Sequence, residues 1–546
     1  MPILLFALWL LTDNETSDSN KSHHLAVFTA LRRHPPCLRV YRSLLELNLL
    51  LWCAVLSLLL WSRTVGKKMI GHLLFQPAGD LIKNSRFSDA TSFRYLPVHG
   101  NDIFDEDDAG LDRDQISEIE MMDAQYDSDG SIPEPPPFVV YEPPAVETVA
   151  GVALDSLILI LVSLFFFTLS SAEGGRYVDG MATLHTFRFM ALVTAPIFPL
   201  LLFVGGVFYG LIPWHRRKEF WKIVSFTIGA PFYHVTFRDG FIGDIITSMV
   251  RPLQDIAFTS FYFFSGLQGW WQQSYVLDSA DLPLEKNWLL HTCILPMCMA
   301  SPLWWRFLQN LRQCYENKKR WPYLGNALKY FVAAEVAIFG VMDPSRKQSF
   351  LWLSCFAGAT LYQIWWDVFM DWELFIVNGS GIQLRKTRIY SVRWLYWAIF
   401  VINFVLRFCW TLSFLPPHYL NRAGVLSETF DSDLPNILNP IIASAEIIRR
   451  TLWGFLRVEL EAIKVGRKDA RLKGAWSDEL QDREIELQVI GMEGMAPITR
   501  ASRTSVGWLS SDMSSMSDLQ LLGELAVYAT AFTSLGMVAT AHRLTL

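Results

Sequence analysis

The chain has 546 residues, of which 51% are hydrophobic, 14% aromatic and 18% charged, with a mean hydropathy of +0.25. That hydropathy is high for a soluble globular protein, and the net charge of −6 leaves no basic surface of the kind nucleic acid requires. The acids gather in one stretch and the bases in short loops, so a polytopic helical membrane protein is expected, all-α and without nucleic-acid partners.

About ten apolar segments occur in chain order: 1–12, 44–62, 150–170, 188–212, 240–266, 288–305, 326–342, 349–370, 391–415 and 436–463. Several approach the roughly 20 residues that a membrane-crossing helix needs. Met1 to Thr12 is too short to cross and lacks the basic start and small-residue site of a signal peptide. From residue 213 the loop bases alternate. Arg216, Arg217, Lys218 and Lys222, then Arg312, Lys318, Lys319 and Arg320, then Arg385, Lys386 and Arg388, then Lys464, Arg467 and Lys468 mark cytosolic faces. Both termini fall on that side. Counted as loop bases, Arg39 and Arg42 oppose the lumenal placement this gives residues 13–43.

The stretch 79–147 is acidic from Asp102 to Asp129 and then Pro-rich, with too few apolar residues for a core, and is expected to be a disordered tether. Four parts follow: membrane segments over 1–78, this insert, a transport core over 148–465, and a cytosolic Ser-rich tail over 466–546. The tail ends in a mildly apolar helix around Leu521 to Ala541, expected to pack on protein or at the membrane interface.

Ionisable residues recur inside the apolar segments. At about 3.6 residues per turn, Glu446, Arg450, Trp453, Arg457 and Glu461 share one stripe, with Arg449 beside it. Each Arg at mid-bilayer costs roughly 2.5–3.5 kcal/mol on insertion scales, so the pair must face partners or a polar cavity. Asp244, Thr247, Ser248, Arg251 and Asp255 form a second stripe, and Asp367 and Asp371 are expected to stack one turn apart. Asn403, Arg407 and Trp410 share a face, while Arg306 and Lys329 flank the basic loop between the sixth and seventh segments. Guanidinium forks match a tetrahedral oxyanion, and Asp244, Asp367, Asp371 and Glu446 can hold those cations when no anion is bound.

Enzyme signatures are missing: the sequence holds no G-x-S-x-G, H-E-x-x-H, P-loop or dinucleotide fingerprint. No catalytic, metal or cofactor role is therefore assigned; the intramembrane carboxylate pair Asp367 and Asp371 keeps a lipid-linked transferase open as a further class.

The run Pro231-Phe-Tyr-His-Val-Thr-Phe-Arg-Asp leading to Asp244-x-x-Thr-Ser is followed by Trp305-Arg-Phe-Leu-Gln-Asn, Asn326-Ala-Leu-Lys-Tyr and Trp366-Asp-x-x-x-Asp-Trp. Leu406-Arg-Phe-x-Trp and Glu446-x-x-Arg-Arg-x-x-Trp complete the succession. This order, over roughly residues 213–463, resembles the EXS domain, the membrane domain of a family of inorganic phosphate exporters. The resemblance implies phosphate export from the cytosol to a lumen or the exterior, with phosphate-contacting or pathway residues at Asp244, Arg306, Lys329, Asp371, Arg407, Glu446, Arg449 and Arg450. It also implies a gating aromatic at Trp410. The chain is expected to work in the bilayer, as a homodimer. The SPX domain of many members is not seen, a layout similar to the yeast ER-retention-defective membrane protein of this family. That layout favours the Golgi or another endomembrane over the plasma membrane. It also keeps open the alternative of a factor that retains glycosylation enzymes without transport.

Overall fold

The computed structural model describes residues 35–75, 142–176, 197–271, 289–342, 350–378, 381–408, 434–472, 512–513 and 516–545. The first apolar segment, most of the 79–147 insert, Trp410 and most of the Ser-rich tail lie outside these residues.

The described chain is almost wholly helical. Helix α1 (Pro35–Trp61) runs through one wide turn, Ser62–Gly66, into α2 (Lys67–Leu74), with Gly66 supplying a φ of 92° at the joint. Next come α3 (Val146–Arg176), α4 (Ile197–Leu211) and α5 (Trp214–Ile228). Helix α6 (Phe237–Ser248) opens on a capping box, in which the Thr236 side chain accepts from Asp239 N–H and Asp239 accepts from Thr236 N–H. Then follow α7 (Val250–Trp271), α8 (Leu295–Asn317), α9 (Tyr323–Met342), α10 (Phe350–Trp366), α11 (Arg393–Arg407), α12 (Leu434–Leu472) and α13 (Asp518–Thr545).

Helix α12 sits at the centre. It packs against α1, α6 and α11, while α8 and α9 form the most extensive helix pair of the bundle and α10 joins α9 to α11. Helices α3 and α4 pack outside, on α1. The main core gathers Trp61, Phe241, Trp372, Tyr396, Trp453 and Leu456, all buried, with Trp453 stacked on Phe241 at 5.8 Å between ring centres.

Three local departures from simple helices matter for the charged residues. The apolar run expected over 240–266 is broken between Ser248 and Val250, because Pro252 has no N–H to return to the Ser248 carbonyl and so starts a new helix instead of continuing the old one. The stripe Asp244 to Asp255 therefore does not face a single direction. The end of α10 widens into a π turn over Asp367–Asp371, closed by Trp372 N–H to Asp367 O at 3.0 Å. The wider turn removes the expected one-turn stacking of the two carboxylates, which serve different partners. Finally, Arg39 and Arg42 are helical residues and not loop bases. Arg42 pairs with Asp255, and Arg39 lies 3.8 Å over the Phe258 ring centre.

A two-stranded antiparallel hairpin, β1 (Phe375–Asn378) with β2 (Gly381–Leu384) and Phe375 opposite Leu384, interrupts the all-α pattern. It is tied down by Glu459 of α12, fully buried, which pairs with Arg385 and accepts from Ile389 N–H at 2.6 Å and from Tyr396 Oη. Arg385 thus belongs to the core instead of a solvated basic loop. Helix α13 packs on α8 and α9 through Phe532, which meets Trp304, Phe307 and Phe331. Near its start Glu524 accepts two hydrogen bonds from Arg320, at 2.8 and 2.7 Å, which raises the Arg320 guanidinium above its ordinary value.

By length and hydropathy, two of the described helices, Cys37–Leu74 and Val146–Ser170, are long and apolar enough to cross a membrane. Ile197–Leu211 is apolar but shorter. Of the remaining expected segments, several carry the ionisable stripes that lower apparent hydropathy, so the count of about ten apolar segments remains an expectation from sequence.

Candidate functional site

A cavity of about 290 Å³ opens among α6, α7, α8, α9, α10, α11 and α12. Its polar wall is formed by Thr247, Ser248, Arg251, Lys329, Tyr330, Thr360, Gln363, Arg407, Glu446 and Arg450, and the rest by Leu, Val, Ala, Ile and Phe side chains. The charged lining is therefore four cations against one carboxylate. Around it lies a continuous network in which Arg306, Lys329, Arg407, Arg449 and Arg450 meet Asp244, Asp367, Asp371 and Glu446.

Each cation of this network has a different degree of commitment. Arg306 on α8 grips Asp244 with both faces of its fork, Nε to Oδ1 at 3.0 Å and Nη2 to Oδ2 at 3.1 Å, and Tyr330 donates to the same carboxylate. Its third nitrogen meets Gln309, whose amide donates to the Thr227 and Asp239 carbonyls at 2.9 and 3.2 Å. Gly243 makes this approach possible, since a Cβ there would collide with Arg306 and Gln309. Arg449, with no solvent exposure, is held by Glu446 through Nε at 2.8 Å and Nη2 at 2.6 Å, and by Asn403 through Nη1 at 3.0 Å. Asp367 stands 3.6 Å from it.

Arg407 donates Nη2 to Asp367 at 2.9 Å, while its buried Nε has no hydrogen-bond partner. Lys329 is 3.6 Å from Asp371, over the rings of Tyr330 and Trp366, and Asp371 also accepts from Trp453 Nε1 at 3.3 Å. Arg450 is the least neutralised. It donates to two hydroxyls, Ser248 Oγ at 2.9 Å and Thr247 Oγ1 at 3.3 Å, lies 4.7 Å over Trp453, and leaves its buried Nη1 without a partner. Ser248 in turn donates to Glu446 at 2.8 Å, so the hydroxyl relays Arg450 to that carboxylate.

The residues singled out from sequence thus divide. Arg407, Arg450, Lys329 and Glu446 line the cavity. Asp244, Arg306, Asp371 and Arg449 stand behind the lining and position it. Trp410 lies outside the described residues. Arg251, Thr247, Ser248 and Tyr330 are lining residues without an assigned role in the sequence reading; Arg251, Thr247 and Ser248 were legible as stripe members, and Tyr330 as the last residue of the Asn326-Ala-Leu-Lys-Tyr run. Asp367, noted only as a counter-ion, emerges as the acceptor shared by Arg407, Asn403 and Arg449.

A helical bundle that buries a charged network around a cation-rich cavity, with two helices long and apolar enough to cross a bilayer, fits a helical membrane protein with an internal polar chamber. The chain belongs to the EXS family, whose model matches residues 37–463. Members of that family are membrane proteins. Among relatives, "SPX and EXS domain-containing protein 1" of Dictyostelium discoideum is 31% identical over 286 residues, which is 50% of this chain and 28% of that protein. "Solute carrier family 53 member 1" of Cricetulus griseus is 26% identical over 288 residues, covering 50% of this chain and 40% of the relative. The "Xenotropic and polytropic retrovirus receptor 1 homolog" of Xenopus laevis is 27% identical over 259 residues, 45% and 36% respectively. The matched region is thus well under half the length of each of these relatives.

Proposed function

We propose that this protein moves inorganic phosphate out of the cytosol through the cavity, with Arg450, Arg407, Lys329 and Arg251 as the residues that receive the anion. The observation that carries the proposal is the imbalance of the cavity wall, four cations to one carboxylate, with Arg450 Nη1 and Arg407 Nε lacking partners. A tetrahedral oxyanion offers acceptors to both nitrogens at once, replacing hydration that the anion loses on entry. The break before Val250 supports the same reading, because it presents the N-terminal end of α7 at the cavity wall, where the helix dipole favours negative charge. The name "solute carrier" of the Cricetulus griseus relative agrees with transport, and the EXS resemblance supplies phosphate as the substrate.

Release follows from Glu446. It holds Arg449 directly and reaches Arg450 through Ser248, so as phosphate departs the carboxylate neutralises the guanidinium it leaves. The positioning pairs Arg306–Asp244 and Lys329–Asp371 keep the lining residues in place without an anion, limiting the cost of buried charge.

The test is reconstitution of the purified chain into phosphate-loaded vesicles. Phosphate efflux well above protein-free vesicles, exceeding chloride flux, is expected. Equal fluxes of both anions would point to an unselective pore, and no flux above background would remove the transport reading.

A further inference from the structure

Next to the cavity lies a second group of charges that shares only Arg251 with the proposed transport route. Glu46 on α1 is 2% exposed, and neither of its carboxyl oxygens has a hydrogen-bond partner. The charges acting on it come from its own helix and from α7: Arg42, Arg251 and Asp255. Arg42 is already committed to Asp255 as an ion pair, at 10% and 6% side-chain exposure. From α3, the neighbouring groups are neutral, with Asn48 donating to the Ala153 carbonyl at 2.7 Å and Ser156 Oγ at 2.8 Å, and Asp155 turned outward. From α12, Asn439 accepts from Arg251 Nη1 at 2.6 Å, and Glu446 also acts on Arg251.

An ionised carboxylate buried without any donor is costly, several kcal/mol in practice, whereas the protonated acid is neutral and tolerates the same place. Among the described residues, Arg251 is the cation that both lines the cavity and acts on Glu46. With Glu46 ionised, the group Arg42, Glu46, Arg251 and Asp255 is neutral, and Arg251 is drawn toward the carboxylate. With Glu46 protonated, the group carries one positive charge, and Arg251 is left to the cavity.

We infer that Glu46 is a proton-binding site whose occupancy sets the positive charge that Arg251 presents to the anion cavity, so that proton and anion bind together. By linkage the effect is reciprocal, an anion in the cavity raising the proton affinity of Glu46 by the same factor that the proton raises anion affinity. The sign is fixed: anion binding strengthens as pH falls through the titration of Glu46. This coupling rests on the phosphate reading of the cavity.

The experiment compares purified wild-type protein with Glu46→Gln and Glu46→Asp by infrared spectroscopy and by calorimetric titration with inorganic phosphate, between about pH 5 and about pH 8. Glu46→Gln replaces a carboxyl without donors by a neutral amide, so folding should persist; Glu46→Asp keeps a titratable group. Expected are a protonated-carboxyl stretching band present in wild type and missing in Glu46→Gln, and a phosphate affinity that falls several-fold more steeply with rising pH in wild type than in Glu46→Gln. Because both proteins meet the same phosphate ionisation, the difference isolates the side chain. Absence of the band, or equal pH profiles in the two proteins, overturns the inference. If neither protein binds phosphate, the phosphate reading fails separately, and the infrared band alone decides whether Glu46 holds a proton.

Discussion

Arg449 and Arg450 are adjacent in sequence, both buried, and chemically opposite in their surroundings. Arg449 spends its fork on Glu446 and Asn403, with Asp367 nearby, whereas Arg450 meets only hydroxyls and an aromatic face and keeps one nitrogen unpartnered. Removing them should therefore do different things. Arg449→Ala leaves Glu446 and Asp367 short of a cation and should cost roughly 3–5 kcal/mol of stability, read as a lowered Tm and poor recovery of folded protein. Arg450→Ala leaves no direct carboxylate partner behind, so the protein should fold with a Tm near wild type. The sequence made both residues visible, because two arginines in an apolar helix demand an explanation. It did not separate them, since the distinction lies in which neighbouring helix each one meets. Arg251 was visible as part of a stripe yet its place in the cavity wall was not, because that depends on the break two residues before it.

At the scale of elements, the departures from regular helix decide where charge points. A straight helix over 240–266 would carry Asp244 and Asp255 on one face; the break sends Asp244 to Arg306, Thr247 and Ser248 to Arg450, and Asp255 to Arg42. Pro252 was legible as a helix breaker, but helical periodicity was read through it. Replacing Pro252 by Ala returns an N–H that can reach the Ser248 carbonyl. We expect Pro252→Ala to lower phosphate efflux several-fold while preserving or raising Tm, since it straightens the segment that offers Ser248 to Arg450. The hairpin gives a second case. Arg385 read as a loop base, and only the fold brings it to Glu459 in the core. Arg385→Ala should destabilise by roughly 3–5 kcal/mol, because it strips a fully buried carboxylate of its cation. Glu459→Gln combined with Arg385→Met should recover much of that loss, measurable by thermal unfolding of the single and double variants.

For the whole molecule, helix content and the general position of the segments were readable from apolar runs, because each is bounded by loops rich in charge, Gly or Pro. The hairpin escaped notice, being only four residues per strand. Several of the segments predicted to face the cytosol do meet one another: Lys464 with Glu373 at 2.7 Å, Arg467 with Thr387 at 2.8 Å, and His234 with Glu316 at 2.9 Å. These contacts join the far end of α12 to the residues flanking the hairpin, and the entry to α6 to the end of α8; basic side chains there would collect anions. Because that collection acts through charge at a solvated surface, phosphate efflux at low substrate should fall as ionic strength rises, more than efflux at saturating phosphate. Within the cavity itself, desolvated contacts screen little.

Phosphate efflux from loaded vesicles containing wild type, Arg450→Lys or Arg450→Ala tests the transport account most directly, with Tm recorded for each protein. Efflux should fall at least about tenfold in Arg450→Ala and partly in Arg450→Lys, whose ammonium keeps the charge but not the paired donors, all at near wild-type Tm. Undiminished efflux from well-folded Arg450→Ala would contradict the assignment of this cavity as the route of the anion.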